Sequence, residues 1–339
     1  MSYDPVPGLM VAKTFKCPVC FSERRGGSFV VYDDRYGYPG RFEVVRCASC
    51  GHRRLNRDFT SEDLSVLYTD YYPRASFDAA SHRPHSEASG FSAWLSGERR
   101  FAFRWVPPGV RVLDIGCGSG EALGYFESRG CEAHGVEADA NAMKFAEKFG
   151  YKIKIGLFDP KMFEPGYFDF VTMDQVIEHA LDPFAMLSGV AKVLKPGGFL
   201  ILSTPNAKGW GIGAFESAWI NWHAPYHLHF FSRRSMARVA ARTGFSVEMA
   251  RTVTSSDWLD YQWAHLITRP REGEKSKFWN FTGGYTASQK LLLKASAVLR
   301  KFKINHALTR AFDAAGLGDN LLFVLRKTDE KDICFASRP

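Results

Sequence analysis

The pattern of apolar and polar positions divides the chain into stretches of different character. Between residues 13 and 58, short β-type runs (Phe29 to Tyr32, Phe42 to Val45) alternate with turn residues (Gly26-Gly27, Gly37, Pro39-Gly40), which predicts a hairpin. Residues 59 to 107 mix aromatic and polar side chains in a helical pattern and end at the breaker Pro107-Pro108-Gly109. Beyond it the alternation becomes regular. Val110 to Ile115 reads as a buried strand, and Glu121 to Arg129 as a helix closed by Gly130. Ala133 to Glu137 is a second strand, followed by a helix from Ala140 to Phe149 with Asp139 as N-cap and Gly150 beyond its end. Strands Phe168 to Met173 and Phe199 to Thr204 flank a helix from Pro183 to Leu194, with Asp182 as N-cap and a turn at Lys195-Pro196-Gly197-Gly198. A helix from Arg233 to Thr243, capped by Ser232 and stopped by Gly244, leads to a strand near Phe245 to Ala250. Strands and helices alternating in this way imply a doubly wound α/β fold, with a mostly parallel sheet covered on both faces.

Seven cysteines add a second module. Cys17-Pro18-Val19-Cys20 and Cys47-Ala48-Ser49-Cys50 are two CxxC pairs separated by 26 residues, while Cys117, Cys131 and Cys334 are scattered. Two such knuckles joined by a hairpin are a tetrahedral zinc arrangement. Four thiolates leave the ion no open position, so its expected role is structural. The expected organisation is a zinc ribbon over residues 1–58, a helical linker or cofactor lid over 59–107, and a catalytic domain over 108–339 with a helical insert at about 255–318.

The formal charge of +8 is concentrated at the ends. Ten Lys/Arg face six Asp/Glu in residues 1–58 (+4), 19 face 21 in 59–250 (−2), and 15 face nine in 251–339 (+6). Lys275 to Phe312 holds eight Lys/Arg and no Asp/Glu. A basic amphipathic helix there reads as a surface for anionic lipid or another anionic partner, or as a helix packed on its own domain with its charges in water. The chain has no run of 18 apolar residues and its start lacks a charged-then-apolar leader, so the expected location is the cytoplasm, either free or peripheral on the inner membrane face.

Chemistry concentrates at Val112-Leu113-Asp114-Ile115-Gly116-Cys117-Gly118-Ser119-Gly120, a strand running into a glycine loop and a helix. Glycines there let backbone amides approach a ligand at the carboxyl end of the first strand. Asp114 narrows the ligand: a carboxylate beside the loop repels a dinucleotide's pyrophosphate but attracts an ammonium or sulfonium. Glu137 ends the next strand, at a distance typical of an acid that binds ribose hydroxyls, or it is a solvated strand-end glutamate.

On these residues the chain resembles the class I S-adenosylmethionine-dependent methyltransferases. The matching stretches are VLDIGCGSG at 112–120, GVEAD at 135–139, FDFVTMDQVIEHALDP at 168–183, LKPGGFLILSTPN at 194–206, PYHLHFFSRRS at 225–235 and GDNLLFV at 318–324. The resemblance implies a Rossmann-like seven-stranded sheet whose last strand, at 320–326, is antiparallel. It also implies cofactor contacts from Asp114, Gly116, Cys117, Gly118, Gly120, Glu137, Ala138, Asp174 and Gln175, with Tyr72 closing over the cofactor. It is nearest to bacterial methyltransferases of polysaccharide and secondary-metabolite pathways that carry N-terminal zinc ribbons.

Methyl transfer to a hydroxyl needs alignment and removal of a proton. His179, just after a strand end, is the candidate base, its alternative role being a helix-start histidine bonded to a backbone carbonyl. His223, His227 and His229 are candidate substrate contacts or, with His179, metal ligands; each is equally a hydrogen-bonded loop histidine. Metal-assisted relatives show Glu-x-x-Glu-His, but here Gln175 replaces the first acid before Glu178-His179. No Asn/Asp-Pro-Pro-aromatic run follows Met173, which argues against an amide or exocyclic nitrogen acceptor. The expected activity is O-methylation of a glycan, nucleotide-sugar or secondary-metabolite hydroxyl. Sugar C-methylation, RNA methylation through the ribbon, and a non-catalytic scaffold are the alternatives.

Overall fold

The computed structural model describes residues 9–10, 15–72, 82–86 and 90–328; Cys334 lies outside them. The chain opens with β1 (Leu9–Met10), β2 (Arg25–Tyr32), β3 (Arg41–Cys47) and β4 (Arg53–Leu55). β2 and β3 form the expected antiparallel hairpin, and β3 also pairs with β4 and, in parallel, with β1. The described part of residues 59–107 is built of short helical pieces, including 3-10 turns at Glu98–Arg100 and Ala102–Trp105. It also holds α1 (Ser61–Val66), a π-helical turn at Leu67–Tyr71 and α2 (Gly90–Ser96).

The larger half runs β5 (Arg111–Ile115), α3 (Glu121–Ser128), β6 (Glu132–Glu137), α4 (Met143–Phe149), β7 (Lys152–Ile155), β8 (Phe168–Asp174), α5 (Pro183–Val193), β9 (Leu194–Pro205), α6 (Trp210–Phe215), β10 (His229–Phe230), α7 (Arg233–Arg242) and β11 (Phe245–Thr252). It closes with α8 (Asp257–Ile267), α9 (Ala287–Lys301), α10 (Ile304–Ala314) and β12 (Asn320–Lys327). Seven of these strands form one sheet in the order β11-β12-β9-β8-β5-β6-β7, parallel except for β12, which runs antiparallel to both neighbours. The doubly wound seven-stranded fold is therefore present. β5 lies at the switch point, with β8 on one side and β6 on the other, so a crevice opens beyond its carboxyl end.

Local sequence explains the element ends. The Asp182 carboxylate accepts from the Phe184 and Ala185 amides, with Pro183 at the first helical position of α5. Ser232 and Ser235 cap α7 reciprocally, and Gly150 ends α4 in the left-handed region. Two details differ from the pattern. Ala140–Ala142 is a 3-10 turn leading into α4, and the Lys195 to Gly198 turn lies inside the span of β9.

The ribbon is built into the larger half. β10 pairs antiparallel with β4, His229 opposite Arg54 and Phe230 opposite Arg53, so the ribbon's sheet includes a strand from beyond residue 228. Cys17, Val19, Cys47 and Cys50 share one hydrophobic cluster with Phe231, Met236, Val239 and Phe245. Arg242 of α7 lies 4.2 Å over the Phe21 ring.

Candidate active site

The glycine loop leaves β5 with Gly116, Gly118 and Gly120 all at positive φ (76°, 53° and 83°), where side chains are strained. A Cβ on Gly116 would stand 2.6 Å from Val176 Cγ2, whereas one on Gly118 would meet nothing within 4 Å. Gly118 thus borders open space. The amides of Gly116 and Cys117 donate to the Val136 carbonyl, pinning the loop to β6. The Cys117 side chain is buried, and burial pushes its thiol far up.

Three acids stand at the carboxyl ends of three neighbouring strands, Asp174 and Glu137 as the last residues of β8 and β6 and Asp114 one before the end of β5. Asp114 is buried and accepts from Thr172 Oγ1 at 2.6 Å. Glu137, next to Ala138, accepts from the Gly118 and Asp139 amides, both at 2.9 Å. Asp174 accepts from the Ala102 amide and from Ser203 Oγ at 2.6 Å. Burial, reinforced by the charges of Asp174 and Glu137, pushes Asp114 up to about 7. Among the described residues neither Asp114 nor Glu137 has an ion-pair partner. A cationic ligand fits this uncompensated negative lining beside an open glycine, and a pyrophosphate does not. Gln175 joins the network at Asp174: its side-chain amide donates to Ser203 Oγ (3.0 Å), which in turn donates to Asp174, and to Asn320 Oδ1 (2.8 Å).

A second cluster stands where β8 ends. His179 Nδ1 lies 3.0 Å from the Tyr226 carbonyl and 2.8 Å from the Tyr68 hydroxyl. A carbonyl only accepts, so Nδ1 carries the proton and Nε2 keeps its lone pair. Burial pushes His179 down to about 4, so the ring is neutral near pH 7. The His227 ring stands edge-on to it at 4.7 Å and donates from Nδ1 to the Asn221 carbonyl at 2.8 Å, again freeing Nε2. His223 lies 4.9 Å beyond His227, and its buried Nε2 has no protein partner. Both rings are held far below the usual histidine range by burial.

His229 is not brought into this cluster. It turns to the ribbon, with Nδ1 3.3 Å from His52 Nε2, and burial holds it down at about 3. The extended spacing of residues 227 and 229 fails as a guide because β10 begins at His229 and commits its ring to the cysteine module.

Tyr72 sits in an aromatic cluster beside His179, 5.0 Å from Tyr36 and 5.5 Å from Tyr68 and Tyr226. Tyr36 comes from the ribbon's β2–β3 loop. It had no signal in the sequence, nor did Arg35 beside it. Glu178 is a further participant that the spacing undervalued. It is fully buried, accepts from Thr204 Oγ1 at 3.0 Å, leaves Oε1 unpartnered, and is pushed up to about 8 by burial. Ligand atoms of Glu178, His179 and His227 all lie within 4.8 Å of one another.

The four ribbon cysteines also converge within 4.8 Å, with Cys17 and Cys50 sulfurs 3.5 Å apart and Cys20 and Cys47 likewise. Sulfurs bound tetrahedrally at about 2.3 Å lie about 3.8 Å apart, so this donor set fits zinc. Matching turns at each knuckle, Phe21 N to Cys17 O and Gly51 N to Cys47 O, shape the site.

Comparison with known proteins points the same way. The family model described as a methyltransferase domain matches residues 79–250. A ubiquinone biosynthesis O-methyltransferase of Thiobacillus denitrificans is 28% identical over 192 residues, covering 51% of this chain and 82% of the relative. The Xanthomonas campestris pv. campestris protein of the same name is 34% identical over 113 residues, 31% of this chain and 47% of that one. Among solved structures, geranyl diphosphate C-methyltransferase from Streptomyces coelicolor A3(2) aligns with TM-score 0.43 and 15% identity, over 66% of this chain and 74% of that one.

Proposed function

Since the chain belongs to the methyltransferase domain family and is an S-adenosylmethionine-dependent enzyme, we propose that it methylates a hydroxyl oxygen, with His179 taking the proton. When bound, S-adenosylmethionine supplies a methyl carbon already activated by its sulfonium, so the protein has to hold the donor, orient the hydroxyl and accept its proton. Asp114, Glu137, Asp174 and the Gly116 to Gly120 loop are the residues that would hold it. The observation that carries the base assignment is the Nδ1 contact with the Tyr226 carbonyl, which leaves the neutral ring with its lone pair on Nε2. His223 and His227 orient the acceptor in this reading.

The acceptor we propose is a hydroxyl on a ring, because Tyr36, Tyr68, Tyr72 and Tyr226 gather as an aromatic cluster beside His179. The relatives carry the name of ubiquinone biosynthesis. They give the polysaccharide pathway no support, so aromatic hydroxyls come before nucleotide sugars. Labelled S-adenosylmethionine incubated with catechols, nucleotide sugars and RNA tests this. Label in a phenolic ether that is lost in His179→Ala agrees with it; label only in RNA or on a sugar carbon overturns it.

The proximity of Glu178, His179 and His227 favours a second reading, in which these three hold a divalent ion that activates the hydroxyl. Both imidazoles are oriented by carbonyls, as metal-binding histidines are. Turnover that disappears after chelation and returns with a divalent metal while the ribbon stays folded selects this reading over the first. For the ribbon itself we propose a structural zinc on Cys17, Cys20, Cys47 and Cys50.

A further inference from the structure

Helix α9 is amphipathic in an unusual sense: its apolar stripe faces solvent. None of its residues is buried, and its half-covered side chains are Gln289, Leu293, Ser296 and Leu299. Leu291 (69% exposed), Ala295, Val298 (50%) and Phe302 (69%) fall at i, i+4, i+7 and i+11, one line along the outer surface, with Leu292 (52%) beside it. Lys290, Lys294 and Lys301 form a parallel exposed row, and none of the three has an ion-pair partner among the described residues. The next helix repeats the plan with exposed Ile304, Leu308 and Ala311 at i, i+4 and i+7.

From this surface we infer a docking site for an anionic lipid bilayer, separate from the methyl-transfer site. A water-facing helix normally turns its leucines inward and its lysines out. Here both face out, side by side, so the occupant is apolar at depth and negative at its surface. A second copy of the chain meets only half of that requirement. Pairing α9 with α9 would bring together two segments with eight Lys/Arg each and no Asp/Glu between Lys275 and Phe312. A bilayer with anionic headgroups satisfies both, the stripe entering the acyl boundary and the lysine row lying at the phosphates.

The test is co-sedimentation of the full chain with sonicated vesicles of phosphatidylcholine, with and without about one-third phosphatidylglycerol. The expected result is pelleting with the anionic vesicles alone, reversed by salt. Lys290→Glu/Lys294→Glu/Lys301→Glu should lower partitioning on the order of 100-fold, and Leu291→Ser/Val298→Ser/Phe302→Ser should abolish it. Unchanged melting and S-adenosylmethionine affinity serve as the folding control. In Phe302→Trp, emission should shift to the blue on adding anionic vesicles. Equal pelleting with neutral lipid, no pelleting of the wild type, or triple variants that bind like wild type each overturn the proposal. So does a stable dimer that the Leu291/Val298/Phe302 variant dissolves.

Discussion

Replacing Asp114 with asparagine should make the ligand-free protein more stable and the enzyme worse at binding its donor. In the folded chain, burial first and then the charges of Asp174 and Glu137 raise this carboxyl from 3.8 to about 7. A group whose folded pKa is raised contributes stability that is fully present below the unfolded value and lost as pH rises through the folded one. Here the window runs from about pH 4 to about pH 7. Above it the buried carboxylate costs on the order of 4 kcal/mol, from about three pKa units at about 1.4 kcal/mol each. Asparagine keeps an oxygen for Thr172 Oγ1, now 2.6 Å from Asp114, and brings no charge. Ligand-free Asp114→Asn should therefore melt several degrees above wild type at pH 8 and close to it near pH 4. Calorimetric titration with S-adenosylmethionine should show the opposite sign. A charge-assisted contact is worth about 1.5–3 kcal/mol, so Kd should rise roughly tenfold to 150-fold. Wild-type affinity should itself weaken about tenfold between pH 8 and pH 6 as the carboxyl takes up its proton. An asparagine variant that is less stable at pH 8, or that binds the donor as tightly as wild type, refutes the electrostatic account of the pocket.

His179→Ala should cut turnover by about 10²- to 10⁴-fold with donor Kd unchanged, measured by methyl transfer and calorimetry side by side; normal turnover would remove this ring from the reaction. Gly116→Ala should cost about 1–3 kcal/mol of stability in chemical denaturation, because its Cβ would strike Val176 at 2.6 Å. Gly118→Ala, at positive φ but with open space around it, should carry the backbone strain without the clash, so it should lose less stability than Gly116→Ala and lose donor affinity as well. Stripping metal with a chelator should lower the melting temperature of the whole chain in one calorimetric transition, since the cysteines share a core with Met236 and Val239. A separate early transition with an unchanged main peak would mean that the ribbon folds alone.

The sheet was legible because its signals are local. Val112 to Ile115 is a continuous apolar run apart from Asp114, and Asp182-Pro183 announces α5 within two residues. β7 escaped for the same reason inverted: Lys152-Ile153-Lys154-Ile155 is four residues long at the sheet edge, too short for periodicity to register. The candidate site was legible where Asp114, Gly116, Gly118 and Glu137 lie within 24 residues of one another, and in the histidines His179, His223 and His227. The aromatic cluster beside His179 is assembled from distant stretches. Tyr68 meets His179 across 111 positions, and no pattern near either residue records the encounter.

The β2–β3 loop explains why a cysteine module belongs on this enzyme at all. The Asp33 carboxylate accepts from the amides of Arg35 and Tyr36 at 2.9 Å and of Tyr38 at 2.8 Å, folding the hairpin tip into a fixed shape. From that tip Tyr36 reaches Tyr72, Tyr226 and His223 at ring separations of 5.0, 5.4 and 5.6 Å. Arg35 donates to the Ile220 carbonyl and lies 4.1 Å over Trp279. Asp34 takes His265 of α8 at 3.1 Å. One short segment thus touches the acceptor loop, the aromatic wall and the helical insert. Its position depends on a hairpin whose far end carries Cys47, and on β4 pairing with the strand that starts at His229, two residues past His227. The module therefore packs against the His179 cluster from outside the Rossmann-like sheet. On the function proposed above, the residues that would meet the acceptor are thus positioned in part by the ribbon.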